Sequence, residues 1–294
     1  MKYLLITLAL LFSGCVETKA PQKVTYTKPT RNNTAVQKEA LVVGVSDYEG
    51  VQHDLDGVKK DVVNMKKLFG EWGFHVTTIT NSDSMRLEEY LQHFSSSLDS
   101  NDKFIFYYSG HGSHTKDESG DEDDGEDEAL VLSDGVENRL FIDDALFGYL
   151  NSIKAQKMVM LDSCHSGTAF KAFGDQPKPK SLINDVKHLI KIIKTKIFEK
   201  EQSDINSGEF VVFSASQDNE QSLDTQNGGM FTTAFYKQFQ GRDGKNIRMM
   251  NLRGAIATEI KARCAESNSK THHPNISASS DKLKYKTLGE FLGL

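Results

Sequence analysis

The stretch KMVMLDSCHSG, residues 157–167, places a thiol directly after a short apolar run. Met158 to Leu161 form a continuous apolar segment, which is typical of a strand that is buried on both faces. The run stops at Asp162, and Cys164 follows two residues later. Ligands of parallel sheets bind beyond the carboxyl ends of the strands, so this cysteine is predicted to lie at a functional edge.

A second apolar strand ends in a similar polar cluster, FIFYYSGHGS at residues 104–113. A cysteine reacts as the thiolate and needs a nearby base, which His111 is predicted to supply. His165 is a rival base, but adjacent residues on an extended chain point to opposite sides, so His111 is preferred over His165 as the partner of Cys164. We expect the backbone amides of Gly112 and Cys164 to donate to a developing oxyanion.

Between and around these two motifs, apolar runs alternate with helical patterns, from ALVVGVS at residues 40–46 to GEFVVFSAS at 208–216. This alternation predicts an α/β fold, with a mostly parallel central sheet and helices on both faces. Further helices are predicted over DGVKKDVVNMKKLFGEWG, which Gly73 ends, and over MFTTAFYKQFQ and MNLRGAIATEIKARC.

The N-terminus, MKYLLITLALLFSGC, has the layout of a secretory signal peptide over residues 1–14. Its end resembles the lipobox of bacterial lipoproteins, in which the cysteine, here Cys15, becomes the lipidated first residue. The alternative is an ordinary signal peptide with Cys15 incidental. We expect residues 15–37 to be a flexible tether, residues 38–294 to be the folded domain, and the protein to be an exported, membrane-anchored lipoprotein of a bacterium, at the periplasmic face or the cell surface.

Composition excludes several classes of protein. The chain has 294 residues and a net charge of −6, so it lacks the basic footprint of a nucleic-acid binder, and no nucleic-acid partner is expected. Three cysteines do not make a disulfide scaffold, and Cys164 is expected to be a reduced thiol. We expect a monomer.

Four segments, FIFYYSGHGS, DEDDGEDEALVLSD, FIDDALFGYL and VMLDSCHSGT, resemble the caspase-like cysteine peptidases, and specifically the metacaspases and their bacterial relatives. His111 precedes Cys164 by about 50 residues, the spacing noted for caspases, although the caspase pentapeptide is absent. The resemblance implies a caspase-like fold. It also implies that Cys164 is the nucleophile, that His111 is the general base and acid, and that hydrolysis passes through an acyl-enzyme.

The resemblance further implies cleavage of protein or peptide substrates after Arg or Lys. The acidic specificity pocket of metacaspases corresponds to Asp61, Ser109 and Asp162, and a carboxylate there pairs well with a guanidinium. The alternatives are a strand-end cap for Asp162 and a solvated helix position for Asp61. Ser214 and Ser216, in SASQDNEQS, resemble the segment that pairs with the substrate backbone.

No cofactor is required by this mechanism, but calcium is possible. In metacaspases a calcium site uses acids that correspond to Asp127, Asp143 and Asp144, together with an acid seven residues after the nucleophile. That last position is Lys171 here, and an ammonium cannot bind calcium. The acidic stretch around Asp127 does not fit an EF-hand pattern, and its alternative interpretation is a solvated loop.

A Lys-rich insertion at about 175–207 interrupts the alternation of strands and helices. The apolar residues in much of it recur at helical spacing. It follows the nucleophile strand, where caspase-like enzymes carry the loop that is cut during maturation. Among its lysines, Lys180 is the predicted self-cleavage site, since Pro179 disfavours cleavage after Lys178 and Ser181 follows Lys180; Lys200 comes second. The alternative is a helix that only covers the domain or contacts a partner or membrane.

Two other functions remain open from the sequence. One is a caspase-fold pseudoenzyme that acts as a scaffold, and the other is a hydrolase of the wider clan with a different specificity.

Overall fold

The computed structural model describes residues 35–116, 126–164, 177–182, 208–217, 220–241 and 243–294. The predicted signal peptide, the lipidation site Cys15, His165, Lys171 and the helical part of the Lys-rich insertion lie outside these residues. None of the helices in the described ranges is long and apolar enough to cross a membrane.

Eleven strands are present in the described residues. They are β1 (Lys38–Gly44), β2 (His75–Thr80), β3 (Lys103–Ser109), β4 (Gly112–Lys116), β5 (Glu126–Ser133), β6 (Asn138–Ile142), β7 (Gln156–Asp162), β8 (Lys178–Pro179), β9 (Phe210–Ser214), β10 (Leu223–Asp224) and β11 (Asn275–Ala278).

Seven α-helices accompany these strands in the same part of the chain. They are α1 (Val58–Glu71), α2 (Leu87–Ser97), α3 (Asp143–Ser152), α4 (Met230–Lys237), α5 (Met249–Glu266), α6 (Asp281–Lys284) and α7 (Leu288–Leu292).

The central sheet has six strands in the order β11-β9-β7-β3-β1-β2. All neighbouring pairs are parallel except β11 and β9. The sheet carries most of the core, because side chains of β1, β3 and β7 are buried almost without interruption. The predicted mostly parallel sheet is therefore confirmed, and the antiparallel edge strand β11 is an addition that the sequence pattern did not indicate.

Helices cover the sheet in two layers. α1 packs against α4, which packs against α5, whereas α2 packs against α3. The chain passes from β1 through α1 to the edge strand β2. It then passes through α2 to β3, which lies on the other side of β1. Because such crossovers are right-handed, α1 and α2 fall on opposite faces. Gly73, with φ of +81°, ends the α1 region as the sequence predicts.

Two small sheets lie beside the central one. β4, β5 and β6 form an antiparallel meander, and β8 pairs with β10 in a two-stranded antiparallel ribbon. The sequence predicted only β5 among these five strands. Strands of two residues, such as β8 and β10, are too short to show a period in the sequence.

The register between β3 and β7 positions the site. Ser109, the last residue of β3, lies opposite Asp162, the last residue of β7. The backbone amide of Gly110 donates to the carbonyl of Asp162 at 3.3 Å, which holds the two strand ends together. His111 and Cys164, each two residues further on, therefore leave the sheet at the same edge.

Candidate active site

The base candidate His111 is buried and held by three contacts. Its Nε2 lies 2.8 Å from the carbonyl oxygen of His53, so this nitrogen carries the proton and donates. Its backbone amide donates to the hydroxyl of Tyr48 at 2.7 Å, and the two rings lie 4.5 Å apart. The other nitrogen, Nδ1, has no hydrogen-bond partner among the described residues and is left as a proton acceptor.

The protonation state of His111 follows from burial. Removal from water lowers the pKa of His111 to about 3, and the nearby charges of His53 and Lys180 act in the same direction. The imidazole is therefore neutral at neutral pH. A neutral imidazole with an open Nδ1 is the form that a general base needs.

The nucleophile candidate Cys164 is fully buried. Its thiol donates to the carbonyl oxygen of Glu220 at 2.8 Å. Cys164 and Cys264 are not joined in a disulfide, and both are present as thiols in the described part of the chain.

The two predicted oxyanion donors point at one atom. The amides of Gly112 and Cys164 donate to the carbonyl oxygen of Lys180, at 2.9 and 3.1 Å. Two amides that converge on one carbonyl oxygen have the arrangement of an oxyanion hole. The carbonyl that occupies it belongs to the protein itself.

The residues predicted to form an acidic pocket lie together, and the ammonium of Lys180 lies among them. The ammonium of Lys180 lies 3.2 Å from a carboxylate oxygen of Asp61, 3.1 Å from Asp162 and 3.9 Å from Asp224. It also donates to the hydroxyl of Ser109 at 2.8 Å. We call Asp61, Ser109, Asp162 and Asp224 the acidic pocket.

Hydrogen bonds fix the carboxylates of the acidic pocket. Asp162 accepts from the hydroxyl of Ser222 at 2.9 Å and from the hydroxyl and amide of Thr232 at 2.6 and 3.2 Å. Asp61 accepts from Ser109 at 2.8 Å and from the amide of Gly229 at 2.9 Å. Asp61 and Asp162 are fully buried, so Asp61 is not the solvated helix residue that the sequence left as an alternative.

In the acidic pocket, burial and the attraction between Lys180 and the carboxylates shift the pKa of each group in opposite directions. Burial raises the pKa of Asp61 to about 7 and that of Asp224 to about 6, although the charge of Lys180 pulls both downward. Burial alone lowers the pKa of Lys180, but the carboxylates of Asp162, Asp61 and Asp224 outweigh this and hold it above its usual range. Lys180 is thus a cation in a dry, acidic cavity.

Lys180 belongs to a segment of residues 177–182, which we call the strap. Lys178 and Pro179 of the strap pair with Asp224 and Leu223, and the amide of Lys180 donates to the carbonyl of Ser222 at 2.9 Å. The carbonyl of Ser222 thus pairs with the backbone of the strap. These two serines lie half-buried at and beyond the end of β9, and their role in substrate binding stays a prediction.

Four residues of the site had no signal in the sequence analysis. Asp224 and Ser222 lie on a two-residue strand and just before it, and His53 contributes only its backbone carbonyl. Gly229 lines the acidic pocket, where a Cβ would lie within 3.0 Å of an oxygen of Asp162 and of Nζ of Lys180. The sequence LDTQNGG, in which two glycines follow Asp224, is typical of a tight turn. It does not indicate that Asp224 or Gly229 belongs to the site.

The predicted calcium ligands occupy one end of the small meander. The register of β5 and β6, with Ala129 opposite Ile142, brings Asp127 to the same end as Asp143 and Asp144. Within the described ranges, no three His, Cys, Asp or Glu residues are grouped so as to hold a metal ion. The role of these three acids in calcium binding stays a prediction, and no chemical step is assigned to calcium.

The model of the caspase domain (Peptidase_C14) matches residues 37–285. The chain belongs to the caspase-domain family. This agrees with the resemblance to caspase-like cysteine peptidases that the two strand-end motifs carry.

Curated relatives of this caspase-domain chain include fungal metacaspases. Metacaspase-1 of Meyerozyma guilliermondii is 31% identical over 167 residues, which cover 51% of this chain and 40% of that protein. Metacaspase-1 of Schizosaccharomyces pombe is 30% identical over 148 residues, covering 45% of this chain and 35% of that protein. The matches thus span two fifths or less of the length of these relatives.

Solved structures confirm the caspase-like fold. Protein GSU0716 from Geobacter sulfurreducens superposes with a TM-score of 0.66 at 23% identity, covering 85% of this chain and 97% of that one. Caspase-1 from Spodoptera frugiperda superposes with a TM-score of 0.53 at 12% identity, covering 87% of this chain and 94% of that one.

Proposed function

We propose that this caspase-domain chain is a cysteine endopeptidase that cleaves protein or peptide substrates after Arg or Lys. One observation supports it above the others. A lysine side chain lies in the acidic pocket while the carbonyl of the same residue accepts from the amides of Gly112 and Cys164. A substrate residue whose carbonyl is to be attacked must make these same two sets of contacts.

The proposed chemistry requires the thiol of Cys164 to leave the carbonyl of Glu220, to which it donates, and to turn towards the open Nδ1 of His111. The hydrogen bond to His53 keeps the proton on Nε2 of His111, so Nδ1 accepts the proton of the thiol. The sulfur attacks the carbonyl carbon, and the oxyanion forms between the two amides. His111 then returns the proton to the leaving amine, and water hydrolyses the thioester.

The acidic pocket supplies the specificity. A buried carboxylate cluster binds a cation and repels an acidic side chain. Oδ1 of Asp224 has no hydrogen-bond donor among the described residues and lies 3.9 Å from the ammonium of Lys180. A guanidinium is longer and offers five N–H donors in a planar fork, so it can reach this oxygen where an ammonium falls short. We therefore propose that Arg is preferred over Lys.

The test is a comparison of fluorogenic peptides that end in Arg, Lys, Asp or Leu. The full chain is expected to hydrolyse the Arg and Lys peptides, with Arg the faster, and the Cys164→Ala chain is the matched inactive control. A preference for Asp or Leu would refute the proposal. Labelling of Cys164 by a thiol-directed peptide probe separates a peptidase from a scaffold, because a scaffold has no need of a reactive thiol.

Two further parts of the proposal rest on the sequence. Export and anchoring through a lipid on Cys15 are tested by incorporation of labelled fatty acid into the wild type and into Cys15→Ala. Calcium is tested by hydrolysis rates in calcium and in a chelator, with Asp143→Asn as the variant that should reduce any calcium response.

A further inference from the structure

Two buried tyrosine hydroxyls hold the main chain of His111. The amide of His111 donates to the hydroxyl of Tyr48 at 2.7 Å. The hydroxyl of Tyr108 donates to the carbonyl of His111 at 2.7 Å and to the carbonyl of Val131 at 2.8 Å. The two hydroxyls are also hydrogen-bonded to each other. The amide and the carbonyl of the base candidate are therefore held by one pair of side chains.

The direction of each of these hydrogen bonds follows from the atoms present. Burial raises the pKa of Tyr48 and of Tyr108 above the usual range, so each hydroxyl keeps its one proton. Because a carbonyl can only accept, the proton of Tyr108 points to the carbonyls of His111 and Val131. The proton between the two hydroxyls is then that of Tyr48. The bonds thus run one way, from the amide of His111 through Tyr48 and Tyr108 to the carbonyl of His111, and we call this closed chain the tyrosine relay.

The carbonyl of His111 belongs to the same peptide group as the amide of Gly112. This amide is one of the two candidate oxyanion donors, and it donates to the carbonyl of Lys180 at 2.9 Å. A peptide group is planar, so a hydrogen bond that fixes its oxygen also fixes the direction of its N–H. A donor on the oxygen also strengthens the N–H as a donor, because linked hydrogen bonds polarise one another. The relay therefore acts on the oxyanion donor as well as on the base.

Tyr48 also contacts the imidazole and the turn that supplies its acceptor. The rings of Tyr48 and His111 lie 4.5 Å apart. The amide of Tyr48 donates to the carboxylate of Asp54 at 3.0 Å, and the carbonyl of the adjacent His53 lies 2.8 Å from Nε2 of His111. Tyr48 thus links the backbone of His111 to the turn that fixes its tautomer.

The relay also accounts for the glycine before His111. A Cβ at Gly110 would lie 2.5 Å from the hydroxyl oxygen of Tyr108 and 2.7 Å from that of Tyr48. Gly110 is not among the glycines with positive φ, so its backbone conformation does not require glycine. The space that the two hydroxyls take up does.

We propose that Tyr48 and Tyr108 are positioning residues for hydrolysis, and that the tyrosine relay sets the imidazole of His111 and the amide of Gly112 in place for attack by Cys164. This inference rests on the proposed peptidase function and adds two residues to its machinery. In the described part of the chain, the hydroxyls are hydrogen-bonded to His111, to Val131 and to each other, and not to the acidic pocket. The relay should therefore affect the chemical step and leave substrate binding unchanged.

Hydrolysis of an Arg-ended fluorogenic peptide by the full chain tests this role. Tyr48→Phe and Tyr108→Phe keep the buried rings and remove only the hydroxyls. Each is expected to lower kcat by about tenfold to a hundredfold, with KM within about twofold of the wild type. The matched control is Tyr149→Phe, since Tyr149 is buried in α3 and its hydroxyl donates to Glu88; it should keep its kcat. An unchanged kcat in both relay variants overturns the inference.

A double variant separates a relay from two packing contacts. Removal of either hydroxyl interrupts the closed chain, so Tyr48→Phe/Tyr108→Phe should lose no more in kcat than the weaker of the two single variants. Two independent contacts would instead multiply their losses, and that result overturns the relay. Gly110→Ala, which places a methyl group between the two hydroxyls, should lower kcat to a similar degree. It carries the test if a phenylalanine variant does not fold.

A nuclear magnetic resonance measurement tests the geometry without catalysis. His111–Gly112 is the only His–Gly pair in the sequence, so isotope labels at the histidine carbonyl carbon and the glycine nitrogen give one signal for this peptide group. Tyr108→Phe should shift both the carbonyl and the amide resonance of this signal, and Tyr149→Phe should leave them in place. An unshifted signal in Tyr108→Phe overturns the inference.

The failure of this inference can be told from failure of the proposed function. An active wild type whose kcat is unaffected by loss of either hydroxyl overturns the positioning role and leaves the peptidase proposal standing. A wild type that hydrolyses no peptide refutes the peptidase proposal, and the positioning role fails with it.

Discussion

Gly229 decides whether a cation fits the acidic pocket, and Gly229→Ala is the perturbation that tests this. The residue has φ of −59° and ψ of 141°, a conformation that alanine adopts without strain. Its Cβ, however, would lie within 3.0 Å of both the Asp162 carboxylate and the position of the Lys180 ammonium. The substitution therefore fills the cation position and displaces the Asp162 carboxylate, while the backbone conformation at residue 229 stays allowed.

The size of the effect follows from the ion pairs that are lost. At 3.1 Å and an effective dielectric constant of about 20, one carboxylate attracts a cation by about 5 kcal/mol before desolvation is subtracted. Displacing one partner of a buried pair costs about 3–5 kcal/mol in practice. The lower figure corresponds to a loss of about a hundredfold in kcat/KM on Arg and Lys peptides.

The assay is hydrolysis by full chains in the Lys180→Ala background, where the side chain of the strap no longer competes for the pocket. Gly254→Ala is the matched control, since Gly254 is exposed within α5 and a Cβ there meets nothing within 4 Å. This control should keep its activity and gain up to about 1 kcal/mol in stability from helix propensity. If Gly229→Ala stays within about threefold of its parent in kcat/KM with an unchanged melting temperature, the assignment of the pocket is wrong.

Three further outcomes are expected. Cys164→Ala and His111→Ala should each abolish hydrolysis because the two residues act as one unit, and His111→Ala should also lower the melting temperature because it removes a buried ring and its hydrogen bond; measurable turnover by purified Cys164→Ala would contradict this. Asp224→Asn should slow hydrolysis of Arg peptides more than that of Lys peptides, and an unchanged Arg-to-Lys ratio would argue against contact with Asp224. Burial raises the pKa values of Asp61 and Asp224 to about 7 and about 6, and removal of Lys180, whose charge pulls both downward, raises them further; Arg-peptide binding by Cys164→Ala/Lys180→Ala should therefore strengthen as pH rises through and above this range, and a flat profile would show that neither acid pairs with the cation.

The amino-acid sequence determined the central sheet and both chemical groups at its edge. Continuous apolar runs mark strands buried on both faces, and the rule that sites lie beyond the carboxyl ends of such strands selects the positions after β3 and β7. This reasoning is local, since each run and the polar cluster that ends it are adjacent in the chain. It places His111, Cys164 and Gly112 at one edge of the sheet from the sequence alone, and the register of Ser109 with Asp162 agrees with it.

Only the tertiary structure decided what completes the site. Asp224 and Gly229 reach the acidic pocket by the packing of a distant turn against α1, and nothing in their neighbourhood in the sequence marks them as partners of Asp61. His53 acts through its backbone carbonyl, which every residue type possesses, so its identity carries no signal, whereas Ser222 acts through both its carbonyl and its hydroxyl.

For Lys180, too, the sequence determined one part and the tertiary structure another. Its neighbours Pro179 and Ser181 made it the favoured cleavage site on chemical grounds. The side chain of Lys180 lies in the acidic pocket because backbone hydrogen bonds join the strap to three distant residues, Gly112, Cys164 and Ser222. Main-chain pairing between segments that are far apart in sequence is set by the folded geometry, because the energy of each bond depends on distance and angle and not on residue type.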